Sequence, residues 1–183
     1  MDISELIGAE IDPVILEAGQ HVFRQGDTDR KIYFVREGIL KAYYVSTEGK
    51  ETIKSFILAG DFIGSLTAAY RNEVCSFSLV CQEQSVLLPV DFDILYNASQ
   101  QDLKVASKVL DFVLGFAMKK ERREMELLSM SAEDRYRQLQ EQSPALLERV
   151  KQKEIARYLG ITPVALSRIR KRIENQRDKE RKT

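Results

Sequence analysis

The tetrapeptide Gly160-Ile161-Thr162-Pro163 constrains this chain more than any other feature, because it closes one helix and opens the next with almost nothing between them. Gly160 follows Leu159 and is free to take the left-handed conformation that ends a helix. Thr162 is placed to cap the next helix, and Pro163 stands at its first position, where a missing N–H costs nothing. Helices joined this tightly pack at a steep angle only if a small residue sits at their contact, and Ala156 supplies it. Ile155, Leu159, Ile161, Leu166 and Ile169 are spaced to hold the pair to a small core of its own. Val164, Ser167, Arg168 and Lys171 remain on the outward face of the second helix, with Arg170 and Arg172 flanking it. Residues 152–171 therefore read as a helix-turn-helix, and a basic second helix is what a major groove accepts. The plainer alternative is a helical hairpin with a solvated charged face.

Charge supports the first reading only when it is resolved along the chain. The 183 residues carry a formal net charge of zero, yet residues 1–118 hold 10 Lys/Arg against 17 Asp/Glu, and residues 119–183 hold 18 against 11. A polyanion is thus attracted to the C-terminal part and repelled by the rest. The tail from Arg172 to Thr183 has two readings of equal weight. Glu174, Asp178 and Glu180 can pair along a frayed helix with Arg177, Arg181 and Lys182, or the tail is an arm that contacts phosphate. No apolar run is long enough to span a membrane, and the N-terminus has no basic segment followed by an apolar core, so a soluble, cytoplasmic protein is expected.

The first half is punctuated by Gly26, Gly38, Gly49 and Gly60. Between and beyond them lie segments rich in β-branched and aromatic residues: 21–24, 32–35, 39–45, 52–58, 77–81 and 86–90. Short strands at steady spacing with glycine turns predict a small antiparallel barrel or jelly roll. Gly60-Asp61-Phe62-Ile63-Gly64 reads as a loop closing over it. Cys75 and Cys81 lie six apart on what reads as one strand, on the same face but too far apart to bridge, and are expected to be core or half-buried thiols.

From Ser99 the pattern turns helical and runs to about Leu128, with two apolar stripes. One is Leu103, Ala106, Leu110, Val113 and Ala117; the second is Val105, Val109, Phe112 and Phe116. Packing on the barrel explains one apolar face, but two faces need two partners. The economical solution is that the second meets its counterpart in another subunit of a two-fold dimer, with Leu103, Ala106, Leu110, Val113 and Ala117 taken as the dimerisation residues. A helix buried within one domain is the alternative. The charged run 119–126 marks the end of the seam near a hinge. A further helix over 132–142 opens behind Ser131 as N-cap, and Ser143-Pro144 breaks it. The domains expected are 1–98 (roll), 99–130 (central helix and hinge) and 131–183 (helix-turn-helix), an α+β fold.

That layout resembles the cyclic-AMP receptor protein/fumarate-nitrate regulator (Crp/Fnr) family of bacterial transcription factors, over nearly the whole length. The runs that carry the resemblance are 131–136 (Ser-Ala-Glu-Asp-Arg-Tyr), 155–163 (Ile-Ala-Arg-Tyr-Leu-Gly-Ile-Thr-Pro) and 166–171 (Leu-Ser-Arg-Ile-Arg-Lys); short, orphan members are the nearest in pattern. The resemblance implies a homodimer on a pseudo-palindromic promoter site in double-stranded DNA, with RNA polymerase and an unknown small-molecule effector as further partners. It also implies a ligand site at Gly64, Ser65, Leu66, Arg71, Cys75 and Ser76, and there this chain departs from the family. Members that bind cyclic nucleotide carry Gly-Glu-Leu and then Arg-Ser/Thr-Ala; this chain has Gly64-Ser65-Leu66 and Cys75-Ser76-Phe77. A buried phosphate without its arginine loses a charge-assisted pair that a thiol cannot replace. Arg71 is the one nearby cation that could reach in. Cyclic-AMP binding is not expected. The cysteine cluster for iron–sulfur is absent, and the single histidine, His21, is not expected to hold haem, so no cofactor is expected. Family members carry residues ahead of the first strand, whereas this chain begins close to it, so a missing N-terminal piece is expected.

Other classes fit less well. A cupin-type metal enzyme needs two or three converging histidines, and no nucleophilic triad or P-loop is present; the chain is expected not to be an enzyme. Two alternatives remain: an interaction module of the same fold that binds an unknown small ligand without reading DNA strongly, and a redox sensor through Cys75 and Cys81. In the main reading Arg168 contacts a guanine edge, with Ser167 and Val164 adding smaller base contacts. Gln152, Thr162, Arg170, Lys171 and Arg172 contact phosphate. Family members often place an Arg-Glu pair where this chain has Pro163 and Val164, so the family's usual target sequence is not expected.

Overall fold

The computed structural model describes residues 10–180, and side chains as far as Gln176. Arg177, Asp178, Glu180, Arg181 and Lys182, named above in the tail pairing, lie outside the residues whose side chains are described. Eight strands form two four-stranded antiparallel sheets: β1 (Val14–Leu16), β2 (His21–Phe23), β3 (Lys31–Glu37), β4 (Ile39–Val45), β5 (Glu51–Leu58), β6 (Phe62–Ile63), β7 (Ser78–Cys81) and β8 (Ser85–Asp91). One sheet runs β1-β8-β3-β6 and the other β2-β7-β4-β5, the jelly-roll arrangement expected from the glycine-spaced strands. Between them sits an apolar cluster that includes Phe23, Tyr33, Val35, Leu40, Ile57, Phe77, Leu79 and Leu87.

Three local expectations are corrected. Phe62 and Ile63 are not a covering loop but a strand, paired to β3 through Phe34 and Tyr33. Cys75 precedes β7 in a loop, so it does not share a strand face with Cys81. The single helix expected from Ser99 is two helices, α2 (Phe92–Gln101) and α3 (Leu103–Ser129). Asp102 separates them in an extended conformation, and its carboxylate accepts from the Lys104 N–H at 2.7 Å, capping α3. A short helix, α1 (Leu66–Arg71), lies between β6 and β7.

The chain divides into two compact units after Lys119. In the first, the stripe Val105, Val109, Phe112 and Phe116 is the one that meets the roll. Val105 is buried, Val109 packs with Leu88, Val90 and Leu95, Phe116 packs on the cluster between the sheets, and Phe112 lies edge-on to Phe62 at 5.1 Å. This stripe is therefore not available to a second subunit, which corrects any assignment of the seam to it. Leu103, Leu110 and Val113 remain 88%, 57% and 43% exposed.

The second unit holds the end of α3 and four further helices: α4 (Ala132–Gln142), α5 (Pro144–Arg149), α6 (Gln152–Tyr158) and α7 (Pro163–Glu180). Ser131 caps α4 by accepting from the Asp134 N–H, and Pro144 opens α5, both as expected. Its core is Tyr136, Leu146, Val150, Ile155, Ala156, Leu159, Leu166, Ile169 and Ile173.

Two glycines with positive φ separate conformational cost from steric cost. Gly38 (φ +100°) turns β3 into β4, and a Cβ there would lie 2.2 Å from Ser85 Oγ and 2.8 Å from the Ser85 backbone; Gly160 (φ +71°) has open space around it. Gly160→Ala is expected to cost about 1–2 kcal/mol from left-handed backbone strain alone. Gly38→Ala adds a clash with backbone and is expected to cost more than that figure in urea unfolding; equal losses would contradict the packing described.

Candidate nucleic-acid interface

The turn between α6 and α7 is built from backbone bonds. The Gly160 N–H donates to Arg157 O at 3.1 Å and the Ile161 N–H to Ala156 O at 3.0 Å, the two-bond closure that a left-handed glycine makes possible. Thr162 Oγ1 then accepts from the Ala165 N–H at 3.2 Å, capping α7 one residue before Pro163. Ala156 is fully buried where the two helices meet. The sequence thus specifies this turn atom by atom.

With 3.6 residues per turn, the burial of Leu166, Ile169 and Ile173 sets the opposite face of α7 outward. Val164 is 62% exposed, and Ser167, Arg168 and Lys171 are exposed beside it. Arg168 makes no ion pair among the described residues, which leaves its planar fork of donors open. The other cations differ. Arg172 is held by Glu133 at 2.7 Å, and the same carboxylate holds Arg137 at 3.0 Å. Arg137 also bonds the Gln176 side chain. One carboxylate between two guanidiniums leaves a net positive charge along this edge of α7. Arg137 was absent from the residues expected here, although the four-residue spacing from Glu133 is the signal for such a pair. Arg170 is half-buried and, with Gln152, lines a cleft of about 300 Å³ beside Tyr136, Gln140 and Glu148. Gln152 and Thr162 are exposed at the starts of their helices.

In the roll, the six residues named for a ligand site divide: Ser65, Cys75 and Ser76 come together, whereas Leu66 and Arg71 line a different surface. A Cβ on Gly64 would lie 2.6 Å from Ile32 Cδ1 and 2.7 Å from Lys31 O, so its role is close packing. Ser65 is buried, 3.1 Å from Thr67 Oγ1, and accepts from the Ser76 N–H at 3.4 Å. Ser76 itself is exposed. Leu66 and Arg71 line an outer groove of about 720 Å³ with Tyr70, Phe92, Tyr96, Leu110 and Val113. Arg71 therefore does not reach the interior of the roll, which corrects that expectation. Aromatic side chains lie between the sheets: Phe23 meets Phe77 edge-on at 5.2 Å and Tyr33 at 6.4 Å. The Tyr33 hydroxyl donates to Asp29 Oδ2 at 2.8 Å, which puts a carboxylate rather than a cation beside this cluster.

The remaining candidates are equally specific. His21 Nε2 lies 2.8 Å from the Tyr43 hydroxyl and 3.3 Å from Arg24 Nη1. Burial, with Arg24 and Lys41 nearby, pulls its pKa below the ordinary value. Among the described residues no group of three His, Cys, Asp or Glu is placed to hold a metal, and no helix is long and apolar enough to cross a membrane.

A jelly roll followed by a long helix and a capped, basic helix-turn-helix is an arrangement that known proteins share. Residues 13–102 match the cyclic nucleotide-binding domain family. Regulatory protein HlyX of Actinobacillus pleuropneumoniae is 28% identical over 173 residues, covering 84% of this chain and 68% of that protein. The fumarate and nitrate reduction regulatory protein of Vibrio cholerae serotype O1 is 30% identical over 95 residues, covering 52% of this chain and 37% of that protein. FixK2 from Bradyrhizobium japonicum shares the fold, with a TM-score of 0.75 at 18% identity over 91% of this chain and 86% of that structure. The chain thus carries a cyclic nucleotide-binding domain and is similar to Crp/Fnr regulators over most of its length. It spans less than half the length of several of the curated relatives it matches.

Both cysteines are free and buried, and burial pushes each thiol above its ordinary pKa. The thiolate is the nucleophile, so a raised pKa suppresses reaction at neutral pH. Alkylation with iodoacetamide at pH 8 is expected to be at least about tenfold slower in the folded protein than in urea. Equal rates would favour the redox-sensor reading.

Proposed function

We propose that this chain is a sequence-specific DNA-binding transcriptional regulator acting in the cytoplasm as a homodimer, with a roll that has lost the means to hold a cyclic nucleotide. One observation carries the reading: the outward face of α7 presents Arg168, with no ion pair among the described residues, between exposed Ser167 and Lys171 on a helix whose other face is buried. Arg168 reads a guanine edge through two parallel N–H bonds, Ser167 and Val164 make smaller base contacts, and Lys171, Thr162, Gln152, Arg170 and the Glu133-held Arg172 contact phosphate. The seam of the dimer is the exposed stripe Leu103, Ala106, Leu110, Val113 and Ala117. A face that apolar and that exposed is unusual on a monomer. The function divides as proposed from sequence, with residues 1–98 as roll, 99–130 as dimer helix and hinge, and 131–183 as DNA reader.

Names of relatives support the regulatory class: HlyX is called a regulatory protein, and the Vibrio relative a fumarate and nitrate reduction regulatory protein. No enzymatic role is proposed. An effector and RNA polymerase are further partners of the reading. Any effector differs chemically from an anion paired to a buried arginine, because the family's arginine position is Cys75.

Selection of bound sequences from a random duplex pool tests this directly. An inverted repeat with half-sites about one helical turn apart, near 34 Å, is expected. Arg168→Ala is expected to cost about 1–3 kcal/mol and to relax preference at one base position in each half-site. Uniform weakening across all sequences would reduce Arg168 to a phosphate contact, and failure to enrich any sequence would overturn the reading.

A further inference from the structure

The first helix of the helix-turn-helix ends on carbonyls that its own backbone cannot satisfy, and two arginines from outside that helix take them. Arg135, on α4, donates from Nη2 to Leu159 O at 2.9 Å. Its Nη1 donates to Met130 O at 2.6 Å and to Glu126 O at 3.2 Å, at the C-terminal end of α3. One guanidinium therefore bridges the C-termini of two helices, each carrying the negative end of its dipole. Arg123, on α3 itself, bonds Tyr158 O through Nη2 and stacks on the Tyr158 ring, with Cζ 3.7 Å from the ring centre. Both contacts lie within the second compact unit.

We infer that Arg135, supported by Arg123, is a positioning residue that holds the helix-turn-helix at a set angle to the end of α3. The inference rests on the DNA-binding reading above. The acceptors on this side are Tyr158, the last residue of α6, and Leu159, its C-cap, so they sit directly ahead of the turn that launches α7. A bond made there aims the recognition helix; a bond made elsewhere on the unit only stabilises it. The planar fork is what the geometry needs, because three carbonyls on two elements must be met in different directions. A lysine keeps the charge and loses the bridge. In a two-fold dimer that angle sets the separation of the two recognition helices. Rigidity at Arg135 therefore appears as intolerance of half-site spacing.

The test compares the full chain with Arg135→Lys and Arg123→Lys on duplexes carrying the selected inverted repeat, and on versions with one base pair added or removed between half-sites. The wild type is expected to prefer the optimal spacing by about tenfold or more, because a mismatched span forfeits simultaneous engagement. Arg135→Lys is expected to cut that ratio by about threefold or more while binding a single half-site as the wild type does, and Arg123→Lys to shift it less in the same direction. A purely structural role lowers the melting temperature and weakens all duplexes alike, leaving the ratio unchanged; that result, in either variant that still melts cooperatively, overturns the inference. Should Arg135→Lys fail to fold, the Arg123→Lys ratio decides. Absence of binding by the wild type would instead remove the DNA-binding reading on which the inference stands.

Discussion

Phe112 and Phe116 anchor the long helix to the roll, and the rest of the molecule depends on which way that packing turns the helix. With Phe112 against Phe62 and Phe116 against the cluster between the sheets, the side of α3 carrying Leu103, Leu110 and Val113 faces away from the roll. The two half-buried phenylalanines fix the helix to the roll and leave an apolar face exposed on its other side. Leu110 and Val113 also line the groove beside Tyr70, Phe92 and Tyr96. The exposed stripe and the groove thus share Leu110 and Val113, a continuity that supports the proposed second copy of this chain as their cover.

Gly64, Ser65 and Cys75 all pack within the roll. Where the family's cyclic-nucleotide binders carry an acidic residue and an arginine, this chain has Ser65 and Cys75, both buried. Phe77, two residues on, points into the cluster and meets Phe23. Gly64 stays because a side chain there has no room against Ile32 and Lys31, which is a demand of the roll and not of any ligand.

Legibility in the sequence followed the range of the forces involved. The helix-turn-helix was readable to single residues, since a left-handed glycine, a capping threonine and a proline at the first helical position are local demands of the backbone. Strands of useful length were readable from β-branched runs between glycines. Phe62–Ile63 and Val14–Leu16 were not, because two or three residues carry no periodicity and their pairing comes from distant strands. Two apolar stripes were visible on α3, but periodicity names faces, not partners, and only the aromatic contacts with Phe62 and the roll core assign them. The break at Asp102 was missed because its cap is a single carboxylate inside an otherwise helical run. Arg135 lies in the run 131–136 that carries the family resemblance, but its role was not legible, because its acceptors are backbone carbonyls, which every residue possesses.

The orientation of the long helix is the claim most open to direct measurement. Single cysteines at Leu110→Cys, Val113→Cys and Phe112→Cys, oxidised in the native protein, report which face meets a second subunit, because a disulfide forms only when two Cα atoms approach within about 7 Å. The buried native thiols Cys75 and Cys81 serve as an internal background. Cross-linked dimer at position 110 or 113 and none at 112 is the predicted pattern. Cross-linking at 112, or at none of the three, contradicts it.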